Sequence, residues 1–133
     1  MSQPGLITIP STHDVAATLH RLRAALTAKG ITLFAEIDHA GGAAHVGLTL
    51  RPTTLLIFGN AIAGTPLMQA AQTSGIDLPL KILIWQDAQG VVQLSWNDPA
   101  WIAARHGAGE AIGPVVTALA AGVRTLAEHA AGA

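Results

Sequence analysis

Between Pro52 and Gly59 the chain reads Thr53-Thr54-Leu55-Leu56-Ile57-Phe58, six β-prone or apolar residues with no charge among them. So short and apolar a run predicts a central strand buried on both faces. The rest of the chain must therefore supply flanking strands and a layer on each side. The material is present. Half of the 133 residues are hydrophobic and only 11% are charged, where about a quarter is usual, which excludes a disordered chain. A chain of this length buries roughly two-thirds of its unfolded surface, so a single domain over 1–133 is expected, with flexible ends at 1–4 and 130–133.

Local signals place the other elements. Leu6 to Ile9 reads as a short strand ended by Pro10. Ser11-Thr12-His13-Asp14 reads as a capping box, with the Ser11 hydroxyl and Asp14 carboxylate serving free N–H groups. Val15, Leu19, Leu22 and Leu26 then fall at helical spacing, and Gly30 supplies a left-handed stop. Ile31 to Asp38 alternates as a strand with one wetter face, and His39 to Ala44 reads as a loop around Gly41-Gly42. Val46, Leu48 and Leu50 alternate with Gly47, Thr49 and Arg51, predicting a further strand. After the loop Gly59 to Gly64, Thr65-Pro66 predicts the start of a helix running to about Ser74. Leu80–Trp85 and Val91–Trp96 form a hairpin through Asp87–Gly90. Asn97-Asp98-Pro99 caps a short helix to about Arg105, and Ile112, Val116, Leu119, Val123 and Leu126 make the stripe of the last one. Alanines and Gly122 on its remaining surface allow another surface to approach closely.

Strands joined by hairpins rather than helical crossovers predict an α+β fold: a largely antiparallel sheet with helices on one face. Because Thr53–Phe58 looks buried on both sides, something else should cover the second face. A symmetric homodimer is the expected cover, since so sparsely charged a chain would otherwise expose a large apolar area.

Charge and composition exclude several functions. Seven basic against eight acidic residues give a formal charge of −1, which argues against a nucleic-acid binder. The absence of cysteine excludes disulfide scaffolds, thiol catalysis and thiolate metal sites. Met1-Ser2-Gln3-Pro4 has no secretory character, and no uninterrupted run reaches the ~18 apolar residues of a membrane span. A cytoplasmic protein is expected, with no membrane partner, no cofactor and no metal needed for folding.

Two segments carry candidate chemistry. Gly59-Asn60-Ala61-Ile62-Ala63-Gly64 has the glycine spacing of a phosphate-binding loop, but Thr65 stands where the lysine is required. A nucleoside triphosphatase is thereby disfavoured. Backbone N–H groups entering a helix can still hold a carboxylate or phosphate, so Gly59, Asn60, Gly64 and Thr65, with Lys81 from a nearby strand, are the expected anion-binding residues. A tight strand-to-helix turn explains the same glycines. The second segment is Asp38-His39, flanked by Glu36 and His45. An Asp–His pair can act as a general base with its tautomer set by the carboxylate, though a loop Asp bonding nearby N–H groups is the simpler reading. His13, His20, His106 and His129 read as structural. Glu36, Arg51 and Lys81 are candidates for a polar patch on the outer sheet face. If the strands ending at Asp38 and Phe58 are parallel neighbours, with Val46–Arg51 between them in sequence, His39 and Thr65 share one pocket.

Taken together, several motifs resemble one family. They are Ile37-Asp38-His39, Gly47-Leu48-Thr49-Leu50-Arg51-Pro52-Thr53, Phe58-Gly59-Asn60 leading to Gly64-Thr65-Pro66-Leu67-Met68, Leu78-Pro79-Leu80-Lys81-Ile82, the Trp85–Gly90 segment and Asn97-Asp98-Pro99 before Arg105-His106. Over about Ser11 to His129 the chain resembles the bacterial and archaeal domain-of-unknown-function family 302. The resemblance implies a TATA-box-binding-protein-like α+β fold with a curved antiparallel sheet and no DNA binding. It carries no established activity. Three functions therefore stand as expectations: a module binding a small anionic ligand, an enzyme using Asp38 and His39, or an interaction protein acting through its dimer surface.

Overall fold

The computed structural model describes residues 3–132. Its elements are β1 (Leu6–Pro10), α1 (Val15–Ala28), β2 (Thr32–Asp38), α2 (His39–His45), β3 (Thr53–Gly59), α3 (Ala61–Ala70), β4 (Leu80–Gln86), β5 (Val92–Asn97), α4 (Pro99–Arg105) and α5 (Gly113–Ala131). Short 3-10 turns lie at Gln72–Ile76 and Glu110–Ile112. The strands form one sheet in the order β1-β5-β4-β3-β2, antiparallel at every pairing. This is an α+β fold.

One face of the sheet makes the main core. Leu56 and Phe58 of β3, Ile82 and Ile84 of β4 and Leu94 and Trp96 of β5 are buried against Leu22 and Leu26 of α1 and Val123 and Leu126 of α5. Helix α1 starts where Asp14 accepts the Ala17 N–H at 2.7 Å; Ser11, read as part of the cap, instead accepts the His13 N–H and meets Thr18. It stops at Gly30, whose φ of 66° lets the Ile31 N–H return to the Leu26 carbonyl. A second cluster joins Leu67 of α3, Ile102 and Ala103 of α4 and Val116 of α5. It extends the helical layer past the Gly59 end of β3.

Several expectations need correction. The run Thr53–Phe58 is central, but only alternate residues are buried, and Leu55 and Ile57 on the other face are half-covered. Its uncharged, β-prone sequence reflects β-propensity on the outer face, not a second buried layer. Segment His39–Ala44 is helical rather than a loop, because Asp38 caps it and the alanines offset Gly41-Gly42. Segment 48–52 forms no strand: Val46, Leu48 and Leu50 are 68%, 67% and 47% exposed. Alternation there has no neighbouring strand to pair with. Helix α3 begins at Ala61, capped by Asn60, so Thr65 and Pro66 sit within it. Glu36 faces the helical layer, not the outer face, and Arg51 lies outside any strand.

The expected loose ends include Met1, Ser2 and Ala133, which lie outside the described residues. Ala130 and Ala131 are buried in the last turn of α5. The segment Glu110–Ala131, containing α5, is long and apolar enough by length and composition to cross a membrane, although charged residues interrupt its apolar run. In this fold one stripe of it packs against α1 and the sheet, and about a fifth of its most apolar window is buried (22%).

Candidate functional site

The register decides where the two candidate segments lie. Asp38 pairs with Thr54 and Thr32 with Gly59 across the antiparallel β2–β3 ladder. Asp38-His39 and Gly59-Thr65 therefore sit at opposite ends of β3, roughly 20 Å apart for a seven-residue strand. The shared pocket does not exist. It required a strand at Val46–Arg51 to reverse the chain twice; without it, β3 simply returns along β2.

At the Asp38 end the polar groups serve local structure. The Asp38 carboxylate accepts the Gly41 N–H at 2.9 Å as the cap of α2, and His39 and His45 are exposed. Two residues earlier, Glu36 takes a two-pronged bond from Arg23, with Nε at 2.7 Å. That hydrogen bond holds the Glu36 carboxyl below its ordinary value, outweighing burial, and raises Arg23 in turn. Among the described residues no three His, Asp or Glu side chains gather as a metal site.

The Gly59 end is different. Two adjoining apolar cavities of about 330 and 360 Å³ open there, and both touch Gly59, Asn60, Ala63, Leu80 and Leu119. Phe34, Gly64, Met68 and Pro79 complete the first; Ile31, Ile62, Val115 and Gly122 help to line the second. Gly59 has a φ of 153°, a backbone conformation few side chains tolerate. This lets β3 turn directly into the Asn60 cap. The Asn60 side-chain oxygen accepts the Ala63 N–H at 2.8 Å, which leaves its amide N–H groups directed elsewhere. Lys29, at the end of α1, is the single charged residue lining either cavity among the described residues. Volumes of this size match the lower range of small-molecule pockets.

The expected anion-binding residues divide accordingly. Gly59, Asn60 and Gly64 line the cavities. Thr65 is exposed and outside both linings, and Lys81 lies on the outer sheet face with its Nζ 3.4 Å from the Asp77 carbonyl. Sequence reasoning did not reach Lys29, Phe34, Met68 or Leu119, which the fold brings from four different elements. The one signal available was the small-residue surface of α5, where Gly122 and Ala118 do form a cavity wall.

A polar cluster read only as structural histidine lies nearby in the chain. His106 Nε2 is 2.6 Å from Asp77 and its Nδ1 is 2.8 Å from the Thr73 hydroxyl, while Arg105 bonds both Asp77 oxygens at 2.9 Å. Burial pushes the Asp77 carboxyl up, but the bond from His106 and the charge and bond of Arg105 prevail, leaving it below its ordinary value. Arg105 also lies over the Trp101 ring, 5.8 Å from its centre. The cluster ties the turn after α3 to the end of α4 and so holds one wall of the first cavity in place.

A family model described as a domain of unknown function, DUF302, matches residues 7–126. The chain belongs to the DUF302 family. A crystal structure of an uncharacterized conserved DUF302 protein from Bacillus stearothermophilus superimposes with a TM-score of 0.84, covering 96% of this chain and 99% of that one. At 15% identity this shows the shared fold alone. Curated relatives from Brucella suis and Brucella abortus, both named fluoride-specific ion channel FluC 1, are 44% identical over 128 residues. These matches cover 96% of this DUF302 chain but 50% and 47% of the relatives, so the chain spans about half their length.

Proposed function

We propose that this DUF302 domain is a binding module for a small amphipathic acid, with an apolar body and one anionic end. The observation that carries the reading is the pair of apolar cavities at the Gly59 end, with Lys29 as the one charge on their walls. An inorganic anion gains little from so apolar a lining, where burial without hydrogen bonds is costly. An acyl or aromatic body gains about 25 cal/mol for each Å² of apolar surface removed from water. The acid group is then met at the rim by the Lys29 ammonium and the Asn60 amide N–H groups, which add affinity and fix its orientation. The helical layer that forms the site is held by the main core, so the module needs no metal.

The fluoride-channel name of the relatives belongs, on this reading, to the part of those proteins that this chain does not span. Support comes from α5, the segment with the length and composition of a membrane span, whose Val116, Val123, Leu126 and Ala127 are buried within the fold. A cytoplasmic setting suits such a module. Titration calorimetry with octanoate, octanol and inorganic phosphate tests the proposal. Saturable octanoate binding is expected, with octanol weaker and phosphate undetectable, and Lys29→Ala should reduce octanoate to the level of octanol. Phosphate binding as tight as octanoate, or no saturable octanoate binding, would contradict it.

A further inference from the structure

The segment after α2 and the edge of the sheet are each incomplete in a complementary way. Val46, Leu48 and Leu50 are 68%, 67% and 47% exposed and alternate with Gly47, Thr49 and Arg51. That is strand periodicity without a sheet. The Val46, Gly47 and Leu48 N–H groups close the end of α2 and the Pro52 carbonyl accepts from the Gln86 N–H, whereas among the described residues the Thr49, Leu50 and Arg51 N–H groups make no backbone hydrogen bond. Strand β2 is the outermost strand on its side, so one row of its backbone groups is unpaired. It is seven residues long, and Leu33, Phe34 and Ile37 are 37%, 56% and 40% exposed. Its charges are committed, Glu36 to Arg23 and Asp38 to the cap of α2. The edge has no lysine or proline, and a bulge between Leu33 and Ala35 interrupts its first half, so Ala35 to Asp38 is the stretch of the kind that natural sheets ordinarily protect.

We infer that the segment Leu48–Arg51 of one copy adds as a short strand to the free edge of β2 in a second copy, and that the exchange is reciprocal. Each feature lacks what the other supplies: backbone partners for the arm, and a neighbouring strand and apolar cover for the edge. Both lie on the same chain, so one two-fold operation satisfies both at once. A differently charged partner is not called for, because the arm carries one charge, Arg51, and the edge presents none that is uncommitted.

Strand addition lies in the plane of the sheet, so it continues the sheet beyond β2 and leaves the outer face, with half-covered Leu55, Leu83 and Trp85, as it is. The inference does not depend on the proposed ligand: Phe34 of the edge lines the first cavity, but the arm and Ile37, where the pairing is tested, line neither.

Sedimentation equilibrium of the whole chain between about 1 and 100 µM, with hydrogen exchange at both concentrations, tests the pairing. Twice the 13.6 kDa chain mass is expected at the upper end. The Thr49–Arg51 amides should be protected there and lose protection on dilution. The double variant Leu48→Glu/Leu50→Glu and the edge variant Ile37→Lys should each sediment as single chains while keeping the circular dichroism of the parent. A parent that stays single at 100 µM overturns the inference. So does a pair that survives both variants, or fast exchange at 49–51 that ignores concentration, since the second copy would then be docking elsewhere or not at all.

Discussion

The two ends of β3 carry similar sequence and unlike structure. Each adjoins a glycine-bearing segment with polar residues: Asp38 to His45 beside Thr53, and Gly59 to Thr65 beyond Phe58. At the first end Asp38 and the short helix α2 face solvent, and the chain continues into an exposed arm. At the second, α5 passes over the sheet end, Leu78–Leu80 returns to the sheet, and α3 packs between them around buried Leu67. What separates a surface cap from a cavity is therefore the set of distant elements that reach each end, not the local residues. A cap needs one carboxylate and one N–H. A cavity needs walls, and walls come from tertiary packing.

Substitutions at matched positions sharpen this contrast. The largest difference is expected between Leu67→Ala and Leu48→Ala. Leu67 is fully buried in the second cluster, and its truncation should cost about 2–5 kcal/mol in chemical denaturation. Leu48 in the isolated chain should cost under about 0.5 kcal/mol; equal losses would mean that the arm is as well packed as α3. Next come the glycines. Gly59→Ala forces a side chain into an unfavourable backbone region near Pro79 and Phe34 and should destabilise by about 1–3 kcal/mol. Gly42→Ala, in α2 with nothing within 4 Å of the added methyl, should be neutral or stabilising by up to about 1 kcal/mol. A thermal melt in which both move the same way would remove the distinction between the two turns.

The helix caps test the likeness rather than the contrast. Asn60→Ala and Asp38→Ala each remove one side-chain bond to a free N–H and should each cost about 1 kcal/mol. A far larger loss at Asp38 would show that its carboxylate does more than cap α2.

The smallest expected effect is on acid stability. Asp77 is held below its ordinary carboxyl value by His106 and Arg105 despite its burial. Its contribution is therefore complete above the unfolded value near 4 and is lost as pH falls through that value towards the folded one. Asp77→Asn should lower the melting temperature at neutral pH and flatten its decline below about pH 4. A parallel decline in both proteins would show that the cluster does not hold the turn after α3.

Much of the fold can be read from the chain because its cues are local. The stripe Val15, Leu19, Leu22 and Leu26, closed by Gly30, is sufficient for α1. The apolar runs on either side of Asp87–Gly90 suffice for the β4–β5 hairpin. Three errors share one cause. Val46–Arg51 alternates like a strand but has no ladder, Thr53–Phe58 carries Leu55 and Ile57 on a face that is only half-covered, and Thr65-Pro66 mimics a helix start inside a helix already begun at Ala61. In each, a local pattern was satisfied while its tertiary partner was elsewhere. The candidate site was half legible for the same reason. Gly59, Asn60 and Gly64 announce a turn, but Lys29, Phe34 and Leu119 join them only through the sheet order and the path of α5.

The central claim is that a ligand lodges at the Gly59 end of β3 and not at the Asp38 end. Amide chemical-shift mapping of the ¹⁵N-labelled protein during an octanoate titration measures this directly. The account predicts saturable shifts gathered at Lys29, Gly59 to Gly64, Leu119 and Gly122, with Asp38 to Leu50 unmoved. Shifts centred on Asp38, His39 and the arm, or changes that grow linearly without saturation across the whole surface, would contradict it.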